Sequence, residues 1–189
     1  MTSAVELDTL IEPAPVIWIT GLAGVGKTTL ACAVIAGLHR RGLHPLMLDG
    51  DEVRIAFEGE DESVVNHACA HRAHRAGRLS RLARLTSRQG IPVVVATISL
   101  FHDVQDWNRC YLPRYREVLM RADIELLRAR RPALYGPRGT AAQPNVVGVD
   151  IDAEFPAVPE LTIAQRFDPE ELAMHADNVI ALFDAVAAS

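Results

Sequence analysis

The chain has 189 residues and sets 19 Lys+Arg against 24 Asp+Glu, a formal net charge of −5. Apolar residues make up 49% and charged residues 23%. That suits one domain spanning residues 1–189 with a full hydrophobic core, excludes general disorder, and argues against a nucleic-acid binder, which needs a dense basic face. Of the basic residues a single one is lysine, Lys27, and the rest are arginine. Cys32, Cys69 and Cys110 are scattered without metal spacing, and their odd number argues against a disulfide framework. The N-terminal segment is acidic, and the longest apolar stretch, Ile91 to Phe101, is too short to span a membrane. The expectation is a cytoplasmic protein without a membrane partner.

In chain order, the apolar run Val16–Thr20 reads as a strand ending at a Gly-rich turn, and Thr28–Arg41 as a helix stopped by Gly42. Cys32 is expected in the core. Leu46–Leu48 is a short strand ending in Asp49, Gly50 and Asp51. Ser63 is placed to cap a long helix from about Val64 to Arg88, closed by Gly90. Ile91–Ser99, rich in β-branched residues, reads as a buried strand. Val104–Arg114 reads as helix, Glu117–Arg121 as strand, Asp123–Arg130 as helix, and the Gly/Pro/Ala-rich Pro132–Asn145 as a loop. Leu161–Ile163 would be a last strand, and Pro169–Ala187 an amphipathic helix capped by Asp168. Strands alternating with helices imply a mainly parallel sheet covered on both faces, with ligands beyond the carboxyl ends of the strands.

Gly21, Leu22, Ala23, Gly24, Val25, Gly26, Lys27 and Thr28 satisfy G-x-x-x-x-G-K-S/T between a predicted strand and a predicted helix, with Thr29 following. Glycines let successive backbone N–H groups curl around phosphate oxygens, and the helix N-terminus adds partial positive charge. Lys27 would reach the β- and γ-phosphates, and Thr28 would offer a hydroxyl to Mg2+. Three classes of P-loop protein compete. A guanine-reading switch needs a second lysine in N-K-x-D, which this chain lacks. A motor needs a carboxylate closing the buried strand, and here that strand ends Ala96-Thr97-Ile98-Ser99. A kinase needs a carboxylate beside the acceptor hydroxyl, cations for the acceptor, and a lid.

Asp49, Asp51 and Arg54 supply the carboxylates and a cation at the end of the second strand. Asp51 is the candidate to take the hydroxyl proton and help organise Mg2+, and Arg54 to hold an acceptor phosphate; a polar turn capped by Asp49 or Asp51 is the alternative. On the long helix, Ala76, Leu79, Leu82, Ala83 and Leu85 define an apolar arc at about 100° per residue, with Arg81, Arg84 and Arg88 opposite. Arg72, Arg75 and Arg78 fall inside the arc. Inward arginines need an anion or a carboxylate partner, so they form either an anion site or salt bridges. His67, His71 and His74 share one helix face; a metal site there is weaker than a plain helix-face role. Trp18 is expected as packing, and Trp107 and Tyr111 as helix neighbours at i, i+4.

These residues together resemble the adenylylsulfate kinases and their near relatives. The resemblance runs from about Val16 to Ile163: Trp18 to Ala31, Leu48 to Arg54, the Arg-rich helix, Ala96 to Phe101, Leu134-Tyr135, and Asn145 to Leu161. It implies a P-loop NTPase fold of the nucleoside-monophosphate-kinase type, a three-layer α/β/α domain with a mobile lid at about 130–150. It also implies transfer of the ATP γ-phosphoryl to the ribose 3′-hydroxyl of adenosine 5′-phosphosulfate. Lys27 and Thr28 would serve ATP and Mg2+, Asp51 would be the catalytic carboxylate, and Arg54, Arg72 and Arg78 would surround the acceptor nucleotide. Phe57 would stack on its base, and Ile98, Ser99 and Leu100 would line its pocket. Relatives are often dimers.

The chain departs from the family pattern on the acceptor side. His71 stands where the family has Asp, Arg75 where it has a substrate-binding Asn, Leu100 where it has Pro, and Pro132 where it has the lid lysine. The missing lid cation would come from Arg131 or Arg138. The form Asn145 to Ile151 looks like a branch that includes a kinase of a cytidine-diphosphate-linked phosphoramidate. The expected acceptor is therefore nucleotide-like, adenylylsulfate first and another activated nucleotide second. A non-catalytic ATP-binding relative is the remaining alternative.

Overall fold

The computed structural model describes residues 11–59, 69–135, 146–149 and 151–187. Five strands form one sheet: β1 (Val16–Gly21), β2 (Leu46–Asp49), β3 (Val93–Ala96), β4 (Tyr115–Arg121) and β5 (Leu161–Ala164), in the order β2-β3-β1-β4-β5. Every pairing among them is parallel. The helices are α1 (Lys27–Arg40), α2 (Gly50–Glu58), α3 (Cys69–Ser87), α4 (His102–Tyr111), α5 (Ile124–Arg130), α6 (Pro132–Tyr135) and α7 (Glu171–Ala187).

The central strands read as continuous apolar runs because both of their faces are covered. Successive side chains point to opposite faces. Ile17 and Ile19 of β1, with Val94, Ala96, Val118 and Met120, pack against Leu30, Ala31, Val34 and Leu38 of α1 and Val179, Ile180 and Phe183 of α7. Val16 and Trp18, with Val93, Val95 and Tyr115, pack against Leu79 and Ala83 of α3. The result is a three-layer α/β/α domain. β1 lies between β3 and β4, so the chain leaves it in both directions, and the crevice at the carboxyl ends opens there.

Local chemistry explains where the elements differ from expectation. β4 begins at Tyr115, two residues early, and α4 stops at Tyr111, ahead of Pro113 and the left-handed Arg114 (φ 48°). Cys32 is exposed rather than buried, since Ala31 and Val34 turn the core face of α1 inward. Leu85, assigned to the apolar arc, is 60% exposed, whereas Arg84, assigned to solvent, has its Nε buried. The arc of α3 is thus rotated toward Ala76, Leu79 and Ala83. Trp107 and Tyr111 stack with centroids 5.1 Å apart, and the Arg81 guanidinium covers Trp107 at 5.6 Å. Asp168 accepts from the Glu170 amide ahead of α7. Ser63, His67 and the start of the long helix lie outside the described residues. Among the described residues, no helix is long and apolar enough to cross a membrane.

Gly21 joins the sheet to the loop that follows. Its φ is 148°, and a Cβ there would lie 2.4 Å from the Met120 carbonyl oxygen of the neighbouring strand. Backbone cannot yield as a side-chain tip can. Gly21→Ala is therefore expected to destabilise the fold by about 2 kcal/mol, measurable by urea unfolding against wild type.

Candidate active site

β1 delivers the chain into a loop that turns at Gly24 (φ 76°) and Gly26 (φ 99°), values that favour glycine. α1 starts immediately, with Gly26 as its N-cap residue and no side-chain cap, so its first N–H groups point into open space. Val25 is buried and anchors the loop from below. Above the loop lies an open cleft of about 870 Å³, within the range of small-molecule sites.

Lys27 donates to the Leu22 carbonyl at 2.9 Å, curling its ammonium back over the loop. Desolvation lowers its pKa to about 8, against the raising fields of Asp51 and then Asp49. A buried ammonium with so depressed a pKa calls for an anion. A phosphate binds the protonated form, so nucleotide affinity should be flat below about pH 7. It should then fall as pH rises through about 8, approaching tenfold per unit above it. Titration of AMPPNP by calorimetry between pH 6.5 and 9.5 checks this.

Asp49 occupies both of its oxygens. Oδ1 accepts the Asp51 amide at 2.9 Å and caps α2, while Oδ2 accepts the Thr28 hydroxyl at 2.6 Å. The cap of the sequence reading is therefore Asp49, and it also sits beside the hydroxyl assigned to metal. Asp51 has no such duty: it is exposed in the first turn of α2, lines the cleft and is the largest source of negative field at Lys27.

The far wall comes from α2 and α3. Arg54, Phe57, Arg72, Arg75 and Arg78 all line the cleft. The Arg54 Nη1 is buried and has no hydrogen-bond partner among the described residues, and Phe57 is 67% exposed. Arg75 takes the salt-bridge alternative by pairing with Glu58, while Arg54 remains a candidate for an anion. Ile98 and Ser99 line the cleft as expected of pocket residues. Leu100 does not: it is 1% exposed in the interior, and Phe101 takes the lining position. Ser99 has a left-handed φ of 28°, and its buried Oγ lacks a partner among the described residues. A left-handed serine with an orphan hydroxyl at a cleft is the kind of strain that gathers at functional sites.

Residues 131–135 rest on the phosphate loop. The Tyr135 hydroxyl donates to the Ala23 carbonyl at 2.8 Å, and burial pushes its pKa to about 12. Arg131 lies against Gly24, with its Cγ 3.0 Å from where a Cβ would stand, and Gly148 packs on Leu22. Arg131 thus lines the cleft; Arg138, Asn145 and Asp150 lie outside the described residues. His71 and His74 are exposed, and no group of three His, Cys, Asp or Glu among the described residues is arranged to hold a metal. The sequence reading missed Glu58, Thr97 and Phe101 as lining residues. Glu58 had a signal, one turn beyond Arg54; Thr97 and Phe101 stand in the stretch Ala96 to Phe101 that carries the resemblance, beside the residues assigned to the pocket.

The adenylylsulphate kinase family model matches residues 13–164. The chain belongs to that family. It is 35% identical over 145 residues to the cytidine diphosphoramidate kinase of Campylobacter jejuni, covering 75% of this chain and 81% of that protein. It is 34% identical over 176 residues to the chloroplastic adenylyl-sulfate kinase of Catharanthus roseus, covering 86% of this chain and about half (53%) of that longer protein. In structure it superposes on the Mycobacterium tuberculosis APS kinase CysC in complex with AMPPNP and APS. That match has a TM-score of 0.79 and 25% identity, and covers 91% of this chain and 98% of that one. The chain is accordingly an ATP-dependent phosphotransferase of the adenylylsulfate kinase type, acting on a hydroxyl acceptor.

Proposed function

We propose that the chain transfers the γ-phosphoryl group of ATP to a hydroxyl, the ribose 3′-hydroxyl, of a nucleotide-like acceptor. One observation carries this reading: a single cleft holds the phosphate loop on one wall and an arginine-lined wall with an exposed phenylalanine on the other, with Asp51 between them. ATP phosphates fit the loop amides, the α1 N-terminus and Lys27. The acceptor's anionic groups fit Arg54, Arg72 and Arg78, and its base fits the face of Phe57.

Oxygen donors suit magnesium here. The Thr28 hydroxyl and the Asp49 carboxylate meet at 2.6 Å, with Asp51 nearby, and magnesium takes one or two carboxylates plus substrate phosphates. When bound, it would neutralise charge on the phosphates. Asp51 accepts the proton of the acceptor hydroxyl as that oxygen bonds to the γ-phosphorus. The bond from phosphorus to the β,γ-bridging oxygen breaks, ADP departs with the electron pair, and the proton passes from Asp51 to solvent. Lys27 holds the developing charge on the transferred oxygens.

Adenylylsulfate is the first candidate acceptor. A CDP-linked phosphoramidate is the second, favoured by the 35% identity to a cytidine diphosphoramidate kinase and by the altered acceptor wall. ADP release in the presence of Mg2+ and each of adenylylsulfate, CDP-linked compounds and plain nucleosides tests the reading. Stimulation by one nucleotide class is expected. AMPPNP binding with no stimulation by any acceptor would replace it with a non-catalytic ATP-binding role.

A further inference from the structure

Four guanidiniums line the acceptor wall, and that of Arg75 is paired with a carboxylate of the same wall. Glu58, the last residue of α2, meets Arg75 of α3 in a two-point fork. Arg75 Nε donates to Oε1 at 2.9 Å, and Arg75 Nη2 lies 2.7 Å from Oε2. The Arg75 side chain is 21% exposed and that of Glu58 27%, at the open rim of the wall. The hydrogen bond from Arg75 holds the Glu58 carboxyl below the usual carboxylate range, with the charges of Arg75, Arg78 and Arg54 adding to it. Glu58 is therefore ionised at neutral pH and lies in the field of the residues that would meet the acceptor's anions. It lines the same cleft, directly beside Phe57.

A two-point pair of this kind has two consequences. Both carboxylate oxygens are spent on Arg75, so the guanidinium is held in place and cannot swing toward a ligand. The carboxylate offsets the charge of Arg75 at contact distance, and that of Arg54 and Arg78 only through space. We propose that Glu58 is a specificity-determining residue of the acceptor side: by pairing with Arg75 it cancels one of the four guanidiniums and tunes the site to acceptors of lower negative charge. This rests on the acceptor-site reading above.

The test uses protein whose phosphate loop is filled with AMPPNP. Calorimetry then gives Kd for adenosine 5′-monophosphate and cytidine 5′-monophosphate, each against its 5′-diphosphate, whose added charge lies on the side of the nucleotide that faces the arginines. Removing one charge from a half-covered wall is worth about three- to tenfold for each added ligand charge. Glu58→Gln is expected to tighten the diphosphates by that factor more than the monophosphates, with AMPPNP affinity unchanged. Arg75→Gln is expected to move the ratio the other way. The double variant, which keeps an uncharged hydrogen-bonded pair, is expected near the wild-type ratio, and it provides a folded comparison if a single variant is unstable. An unchanged ratio in Glu58→Gln, or an equal change for every probe, overturns the proposal and assigns the pair to structure alone. If wild type binds AMPPNP but none of the four probes, the acceptor-site reading falls and the proposal with it.

Discussion

Lys27→Ala is expected to lower kcat/KM at least about a thousandfold, some 4 kcal/mol of transition-state stabilisation. No other lysine can replace it, and Arg131, which packs along Gly24, carries a planar guanidinium that is not interchangeable with a compact ammonium. The chain has no other lysine, and the cations of the far wall sit on α2 and α3, across from the loop. The fold should not suffer. Burial already disfavours the charged ammonium, and its one hydrogen bond, to the Leu22 carbonyl, satisfies an oxygen beside solvent-facing loop residues. The thermal midpoint should therefore stay within a few degrees of wild type while initial-rate kinetics show the loss. Near wild-type turnover in a folded Lys27→Ala protein would remove the phosphate loop from the chemistry.

Asp51→Asn is the second large effect. Loss of a positioned proton acceptor lowers kcat by about 10² to 10⁴. Asn keeps the shape and leaves the Asp49 cap and the Thr28–Asp49 bond in place, so the change in stability should stay below about 1 kcal/mol, the value of one acidic side chain in a helix first turn. A second readout separates catalysis from simple damage. Asp51 contributes the largest raising field at Lys27, so its loss lowers the Lys27 pKa further. Nucleotide affinity in Asp51→Asn should then begin to fall at lower pH than in wild type. Asp49→Asn makes the contrast: it disturbs the α2 cap and the Thr28 partner together, and should cost both nucleotide binding and stability.

Much of this site was legible in local sequence. G-x-x-x-x-G-K-T between a strand and a helix specifies its own loop, because the glycine positions, the lysine and the helix N-terminus all act within eight residues. The alternation of strands and helices likewise implied the parallel sheet, since a β-branched run such as Val93 to Val95 is stable only when covered on both sides. Periodicity was less reliable on α3. Arg72, Arg75 and Arg78 line the cleft, but Leu85 is exposed and Arg84 half-buried, because an arc counted along one helix cannot see how the helix is rolled against the sheet.

Pairings across the fold were the part no local pattern carried. Arg75 presented two equal options in sequence, an acceptor anion or a carboxylate. The choice fell to Glu58, 17 residues away, once the end of α2 met the start of α3. Asp49 and Asp51 are two residues apart and chemically identical. The Thr28 hydroxyl, 21 residues from Asp49, separates them by engaging one and leaving the other open to the cleft. Leu100 goes inside and Phe101 to the cleft directly after Ser99, whose backbone takes a left-handed φ of 28° that no local pattern announces.

The sequence by itself thus determined that this protein binds nucleotide phosphates and has the layered α/β fold that presents them, since both follow from short-range periodicity and backbone chemistry. Only the tertiary structure decided that Asp49 is the carboxylate engaged by Thr28 and that Arg75 pairs with Glu58. Those facts depend on distances between elements, and such distances arise only when the hydrophobic faces of the sheet and helices are buried against one another.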